Sequence, residues 1–110
     1  HRKLEVTQMT RPEYYKFSLG TIVVTRGLAE TIEAAGETLG AVCLPLLGRH
    51  VSGDWGEVCG EDAQANEDAL KQDLRLVSAY TIKLAGESHK IWIITEWDRS
   101  ATTILLPEDY

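Results

Sequence analysis

Between Lys90 and Leu106 the chain reads KIWIITEWDRSATTILL. Two apolar runs rich in β-branched residues are joined by the charged stretch Glu96–Ser100. Such runs read as strands, and the break between them reads as a hairpin turn. Pro107 cannot supply a ladder hydrogen bond and ends the second run. Working outward toward the N-terminus, the hydrophobic period becomes two. Leu76, Ser78, Tyr80, Ile82 and Leu84 fall on one face, and Arg75, Val77, Ala79, Thr81 and Lys83 fall on the other. A turn over Ala85–His89, containing Gly86, links this run to the next. Three successive strands, Arg75–Leu84, Lys90–Glu96 and Ala101–Leu106, joined by short turns, are expected to form an antiparallel meander.

The residues before the meander carry helical periodicity. Leu39, Val42, Cys43, Leu46, Leu47 and His50 follow the i, i+3, i+4, i+7 pattern of one helix face, with Thr38 placed to cap the start. Pro45 lies off that stripe and is expected to kink or split the helix. A second helix is expected over Gly27–Ala35, capped by Thr25 and stopped by Gly36. A third is expected over Glu61–Gln72, with acids in its first turn and a thin apolar face of Ala63, Leu70 and Leu74. Thr21–Thr25 reads as a short strand at a sheet edge or beside the last strand. The order predicts an α+β fold: a strand and two to three helices, then a three-stranded antiparallel meander with the helices on one face of the sheet. Because an apolar strand must then end as a sheet edge, self-association as a homodimer is expected.

At 110 residues the chain is one domain, read here as residues 17–110. Residues 1–16 are polar, irregular and interrupted at Arg11-Pro12, and are expected to form a poorly structured arm. The chain begins at His1 with Met9 downstream, and vector-derived residues are one source of such a start. A formal net charge of -6 argues against non-specific nucleic-acid binding, which needs a basic surface. No run is long and apolar enough to cross a bilayer, and no secretory signal is visible, so a cytoplasmic protein with Cys43 and Cys59 as free thiols is expected. Neither cysteine belongs to a closely spaced ligand pair, so no metal site and no cofactor are expected.

A few polar residues could carry chemistry. His50 reads either as a general acid or base at a cleft mouth, or as a donor to the last carbonyls of its helix. In Ser52-Gly53-Asp54-Trp55-Gly56, the glycines Gly53 and Gly56 flank an acid and an aromatic ring. Gly53, Asp54 and Trp55 could present backbone N–H groups and a stacking face to a ligand, or could form a helix cap with Trp55 plugging the core edge. Arg99, in the last hairpin turn, offers a planar anion clamp or a pair with Asp98. Ser78, Thr95, Thr102 and Thr103 could line a polar patch where three strands run side by side. Trp92 and Trp97 could form a flat platform. The expected binding surface lies where His50, the SGDWG loop and the final hairpin meet.

The strings RHVSGDWG (Arg49–Gly56) and ITEWDRSATTILLP (Ile94–Pro107) resemble a family of short bacterial proteins, labelled plasmid-related, that are carried on plasmids, integrons and other mobile DNA. The resemblance implies a genomic setting and no particular reaction. Two functions follow. The first is an acidic accessory or regulatory binding module with an unknown protein or small-molecule partner. The second, on fold-level analogy with the barnase, colicin and RelE type, is a metal-independent ribonuclease. There His50, Arg99, Ser78 and Thr102 would be catalytic, with Arg75 as an alternative to Arg99.

Overall fold

The computed structural model describes residues 15–110. The expectation for the N-terminal arm falls outside them, apart from Tyr15 and Lys16. Lys16 is tied down by a 2.8 Å hydrogen bond from its N–H to the Val51 carbonyl.

Strand β1 (Thr21–Val24) leads into α1 (Arg26–Ala34), α2 (Leu39–Val51) and α3 (Gly60–Gln72). Three strands follow: β2 (Leu76–Leu84), β3 (Glu87–Thr95) and β4 (Ala101–Leu105). A single 3-10 turn, Pro107–Asp109, comes last. The four strands make one sheet in the order β1-β4-β3-β2. The α+β class and the antiparallel pairing of β2 with β3 and β3 with β4 match the expectation. The sheet as a whole is mixed, because β1 pairs parallel to β4, with Thr21 opposite Ala101 and Val24 opposite Ile104. Three helices separate β1 from the meander, and a connection of that length can return the chain to a parallel partner.

Two features depart from the sequence reading by more than a residue at an element's end. The β2–β3 turn contracts to Ala85 and Gly86, at φ of 51° and 83°, and β3 begins at Glu87. Two central residues at positive φ match the right-handed twist of a hairpin, so the ladder runs on to Leu84 opposite Glu87. Pro45 does not split its helix: α2 runs unbroken, with Pro45 exposed.

Thr25 and Thr38 cap α1 and α2, accepting from Leu28 N–H and Ala41 N–H. Both helices lay their apolar stripes on one sheet face. Leu28, Ile32, Cys43, Leu46 and Leu47 meet Tyr80, Leu84, Ile91, Ile93 and Ile104 there, all buried. Side chains of that size each contribute roughly 1.5–3 kcal/mol by leaving water. The opposite face carries Val77, Ala79, Trp92, Ile94, Thr103 and Leu105, and Tyr110 packs edge-on against Trp92 at 5.8 Å. That face is not bare: Ala79, Ile94 and Leu105 on it are buried, although among the described residues no helix of the α1–α2 layer lies over it.

The third helix is seated more firmly than its thin apolar face suggested. It lies against the outer edge of β2, where the Asn66 amide donates to Val77 O at 2.8 Å and accepts from Val77 N–H at 3.1 Å. The side-chain amide thus takes the place of a neighbouring strand's peptide group. Ala69, Leu76 and Trp55 bury a second small core beside it.

Candidate functional site

The apolar stripe of α2 ends in His50, one turn beyond Leu46 and Leu47. Directly beneath it, three adjacent strands each present one hydroxyl on the core face: Ser78 from β2, Thr95 from β3 and Thr102 from β4. All four side chains are completely buried. His50 Nδ1 lies 2.5 Å from Ser78 Oγ, and Nε2 lies 2.9 Å from Thr95 Oγ1. Thr95 Oγ1 is 2.8 Å from Thr102 Oγ1, and the Thr102 hydroxyl donates to the carbonyl of Leu19 at 2.7 Å.

A carbonyl only accepts, so the Thr102 proton is committed to Leu19. Thr102 then accepts from Thr95, and Thr95 accepts from His50. The imidazole must therefore carry its proton on Nε2, and its bare Nδ1 accepts from Ser78. For a neutral ring this is the one arrangement that places a proton in every contact of the chain. A charged ring would instead donate from both nitrogens, to Thr95 and to Ser78. Burial, with the Arg99 guanidinium adding to it, lowers the His50 pKa from 6.5 to about 4.

His50, Trp55 and Arg99 do converge, but around an interior, whereas Asp54 and Trp97 are exposed. Phe17 packs between the first three. Its ring stands edge-on to His50 at 5.1 Å, stacks near Trp55 at 6.2 Å and lies 5.8 Å beneath the Arg99 guanidinium carbon. His50 neither lines a cleft mouth nor caps helix carbonyls. The polar floor of the sheet provides partners that pull its side chain inward.

Arg99 does not hold an anion. Its Nη1 donates to the carbonyls of Leu74 (2.6 Å), Glu96 (3.0 Å) and Trp97 (3.2 Å), and its Nη2 donates to Ala69 O at 3.0 Å. The cation sits at the C-terminal end of α3, where the helix dipole favours it, and ties that end to the last hairpin. Asp98, its expected partner, instead accepts from Ser100 N–H and Oγ–H. Arg75 is near Glu96 at 3.7 Å and donates to Tyr110 Oη at 2.9 Å, on the sheet face away from α1 and α2. It takes no part in the His50 chain.

The SGDWG loop is structural in the same sense. Asp54 takes a hydrogen bond from Arg49 Nε at 2.7 Å, which holds its carboxyl below the usual range. Its own carbonyl accepts from Tyr80 Oη at 2.6 Å. Burial pushes Tyr80 up to about 12. Trp55 is buried and donates to Glu67 at 2.9 Å, so it offers no stacking face. Gly53 and Gly56 adopt φ of 91° and 74°, which turns the loop back along β2. Gly56 lies against Ala79 O and the Tyr80 ring so closely that a Cβ has no room. Thr103 falls on the other sheet face, and Trp97 is the exposed tryptophan of the pair with Trp92.

The Ser78–His50 contact has the chemistry of a hydroxyl beside a base, but the ring meets a threonine where an orienting carboxylate would stand. A surface cleft of about 270 Å³, lined by Thr31, Ala35, Leu84, Glu87 and His89, lies between α1 and the β2–β3 turn and touches none of the four buried residues. Among the described residues, no three His, Cys, Asp or Glu side chains gather as metal ligands, and no helix is long and apolar enough to cross a membrane. In comparisons with known proteins, no family model, curated protein or solved structure matches the chain.

Proposed function

We infer that the protein is an acidic binding module that docks a partner protein through a rigid apolar rim at the end of the sheet. The observation that carries this is the pairing of Trp97, 62% exposed, with Leu74, 49% exposed. Their main-chain carbonyls sit on the same Arg99 nitrogen, so two large apolar side chains from distant parts of the chain project from one clamped point. Exposed tryptophan held on a rigid support is the residue type that most often anchors an interface. Asp73 and Asp98 flank the rim and are exposed, which suits a partner with basic groups around an apolar centre. A role as an accessory or regulatory factor of a mobile element fits such a module, and that setting rests on the RHVSGDWG and ITEWDRSATTILLP strings.

The ribonuclease reading has in its favour the convergence of His50, Ser78 and Thr102. Against it stand their burial, the lowered His50 pKa and the commitment of Arg99 to carbonyls. Capture of host proteins by tagged protein, run beside an RNA-cleavage assay, tests the choice. The double variant Trp97→Ala, Leu74→Ser should lose the captured partner while keeping the wild-type melt. Capture that survives in this variant overturns the rim. RNA cleavage that disappears in His50→Gln establishes the enzyme instead.

A further inference from the structure

The two edges of the sheet are treated differently. The β2 edge is covered residue by residue. Val77 is bonded by the Asn66 amide, Ala79 by Trp55 O at 3.1 Å and by Glu57 N–H at 2.6 Å, and Thr81 Oγ1 by the Glu57 carboxylate at 2.9 Å. The β1 edge has no such cover among the described residues. Thr21 N–H and Thr25 N–H donate inward to Ser100 O and Ile104 O, so the alternate residues Ile22 and Val24 direct their N–H and C=O groups away from the sheet. The strand is Thr-Ile-Val-Val, without a charge, proline or bulge, and Ile22 and Val23 are 43% and 42% exposed. Natural edge strands usually carry one of those protections when they are meant to stay single.

We propose that β1 is the interface of a two-fold homodimer, in which β1 pairs antiparallel with β1 of a second copy. The pairing places Ile22 opposite Val24 of the partner and Val24 opposite Ile22. Each pair exchanges two backbone hydrogen bonds, making four in all, and the two sheets become one of eight strands. The axis passes beside Val23, whose side chain meets its own copy in a non-hydrogen-bonded position, where Cα atoms approach to about 4.5 Å.

A second copy is the occupant that the charges fit. The net charge of -6 opposes association of two such chains in general, so the contact must be locally complementary. Arg26 is exposed at the C-terminal end of β1. Asp98 is exposed in the turn that leads to Ser100, whose carbonyl accepts from Thr21 at the N-terminal end. Antiparallel alignment brings the Arg26 end of each copy to the Asp98 end of the other, twice. The Asp109 carboxylate, against Gly27, is already held by Thr25 Oγ1 at 2.7 Å and by Leu106 N–H at 3.3 Å. Isologous contacts of this kind are the commonest way in which a single chain closes an assembly. Asp98 borders both this surface and the Trp97 rim, but the edge hydrogen bonds and the Val23 axis belong to β1 alone, so Val23→Lys and Trp97→Ala test the two proposals separately.

Sedimentation equilibrium of the full chain from about 1 to 500 μM tests the interface. The wild type should pass from monomer to twice the monomer mass within that range. Val23→Lys sets two ammonium groups against each other at the axis and should remain monomeric, with an unchanged melting temperature because the side chain is already exposed. Arg26→Glu should shift the midpoint to at least tenfold higher concentration, and Trp97→Ala should leave it unmoved. A wild type that is monomeric throughout overturns the proposal, whether a different protein or residues 1–14 cover the edge. So does a Val23→Lys variant as dimeric as the wild type, or a dimer that Trp97→Ala abolishes.

Discussion

The Thr102 hydroxyl donates to the carbonyl of Leu19, 83 residues away in the chain. That contact, with the His50 ring neutral, fixes the direction of the hydrogen bonds from Leu19 back through Thr102, Thr95 and His50 to Ser78. The His50 ring should therefore be the Nε2–H tautomer, which its two ¹⁵N shifts report directly at pH 7. Ser78→Ala leaves Nδ1 buried without a donor and should cost about 1–3 kcal/mol. Thr102→Val removes the partner of both Leu19 and Thr95 and should cost more than Ser78→Ala in the same urea melt. An Nδ1–H ring, or a Ser78→Ala variant as stable as the wild type, would show that the chain does not run in this direction.

Stability should fall on mild acidification through His50. The folded pKa of about 4 lies below the ordinary 6.5 of an exposed imidazole. Above pH 6.5 both folded and unfolded rings are neutral, and the full stability is present. As pH falls below 6.5 the unfolded chain takes up a proton that the folded chain refuses, and stability drains away until about pH 4. The whole loss is on the order of 3 kcal/mol. Carboxylates add their own slope, so the quantity to measure is wild type minus His50→Gln in urea melts from pH 7.5 to 4.5. A difference that does not change with pH would show that the ring is not buried neutral.

Two glycines with similar backbone angles should respond very differently to alanine. Gly86 has φ of 83° with open space where a Cβ would go, so Gly86→Ala pays only the left-handed backbone cost of roughly 1–2 kcal/mol. Gly56, at 74°, would drive a Cβ into Ala79 O and the Tyr80 ring, and would part the loop from the β2 edge. Gly56→Ala should be destabilising by at least about 2 kcal/mol more than Gly86→Ala. Equal melting temperatures for the two would mean that the SGDWG loop is not seated against β2.

Arg99→Lys tests the clamp. A lysine keeps the charge at the end of α3 but cannot reach the carbonyls of Ala69, Leu74, Glu96 and Trp97 from one planar group. The expected cost is about 2–3 kcal/mol, from hydrogen bonds that involve a charged group. Hydrogen exchange should quicken at Leu74 and Arg99 N–H together, since the one group ties both segments. Faster exchange confined to the hairpin would mean that α3 is held by Asn66 and Ala69 alone.

Much of this molecule is written locally. Period-two alternation from Leu76 to Leu84, the two apolar runs around Arg99 and the stripe from Leu39 to His50 each follow from how a strand or helix shows one face to a core. Caps at Thr25 and Thr38 are equally local, because a hydroxyl one residue ahead of a helix has its backbone N–H within reach. The residue types of the polar cluster, His50 with Ser78, Thr95 and Thr102, were visible as well.

What the sequence could not hold was where those groups point and what they meet. His50 was ambiguous, because an imidazole at the end of an apolar stripe caps its own helix unless something deeper accepts it. Only the strand register places three hydroxyls under that ring. From the sequence Arg99 reads as an anion clamp or a partner of Asp98, because the four carbonyls it binds come from separate segments, two of them 25 and 30 residues earlier. Asn66 gave no signal at all, since a polar residue on a helix is ordinarily solvated and becomes a strand's partner only when that helix lies along a sheet edge. The parallel place of β1 beside β4 was likewise decided by how three helices of fixed length lead the chain across the sheet and back. Local chemistry set the elements and their faces. Long-range packing alone determined which polar groups were buried together and which edge of the sheet was left open.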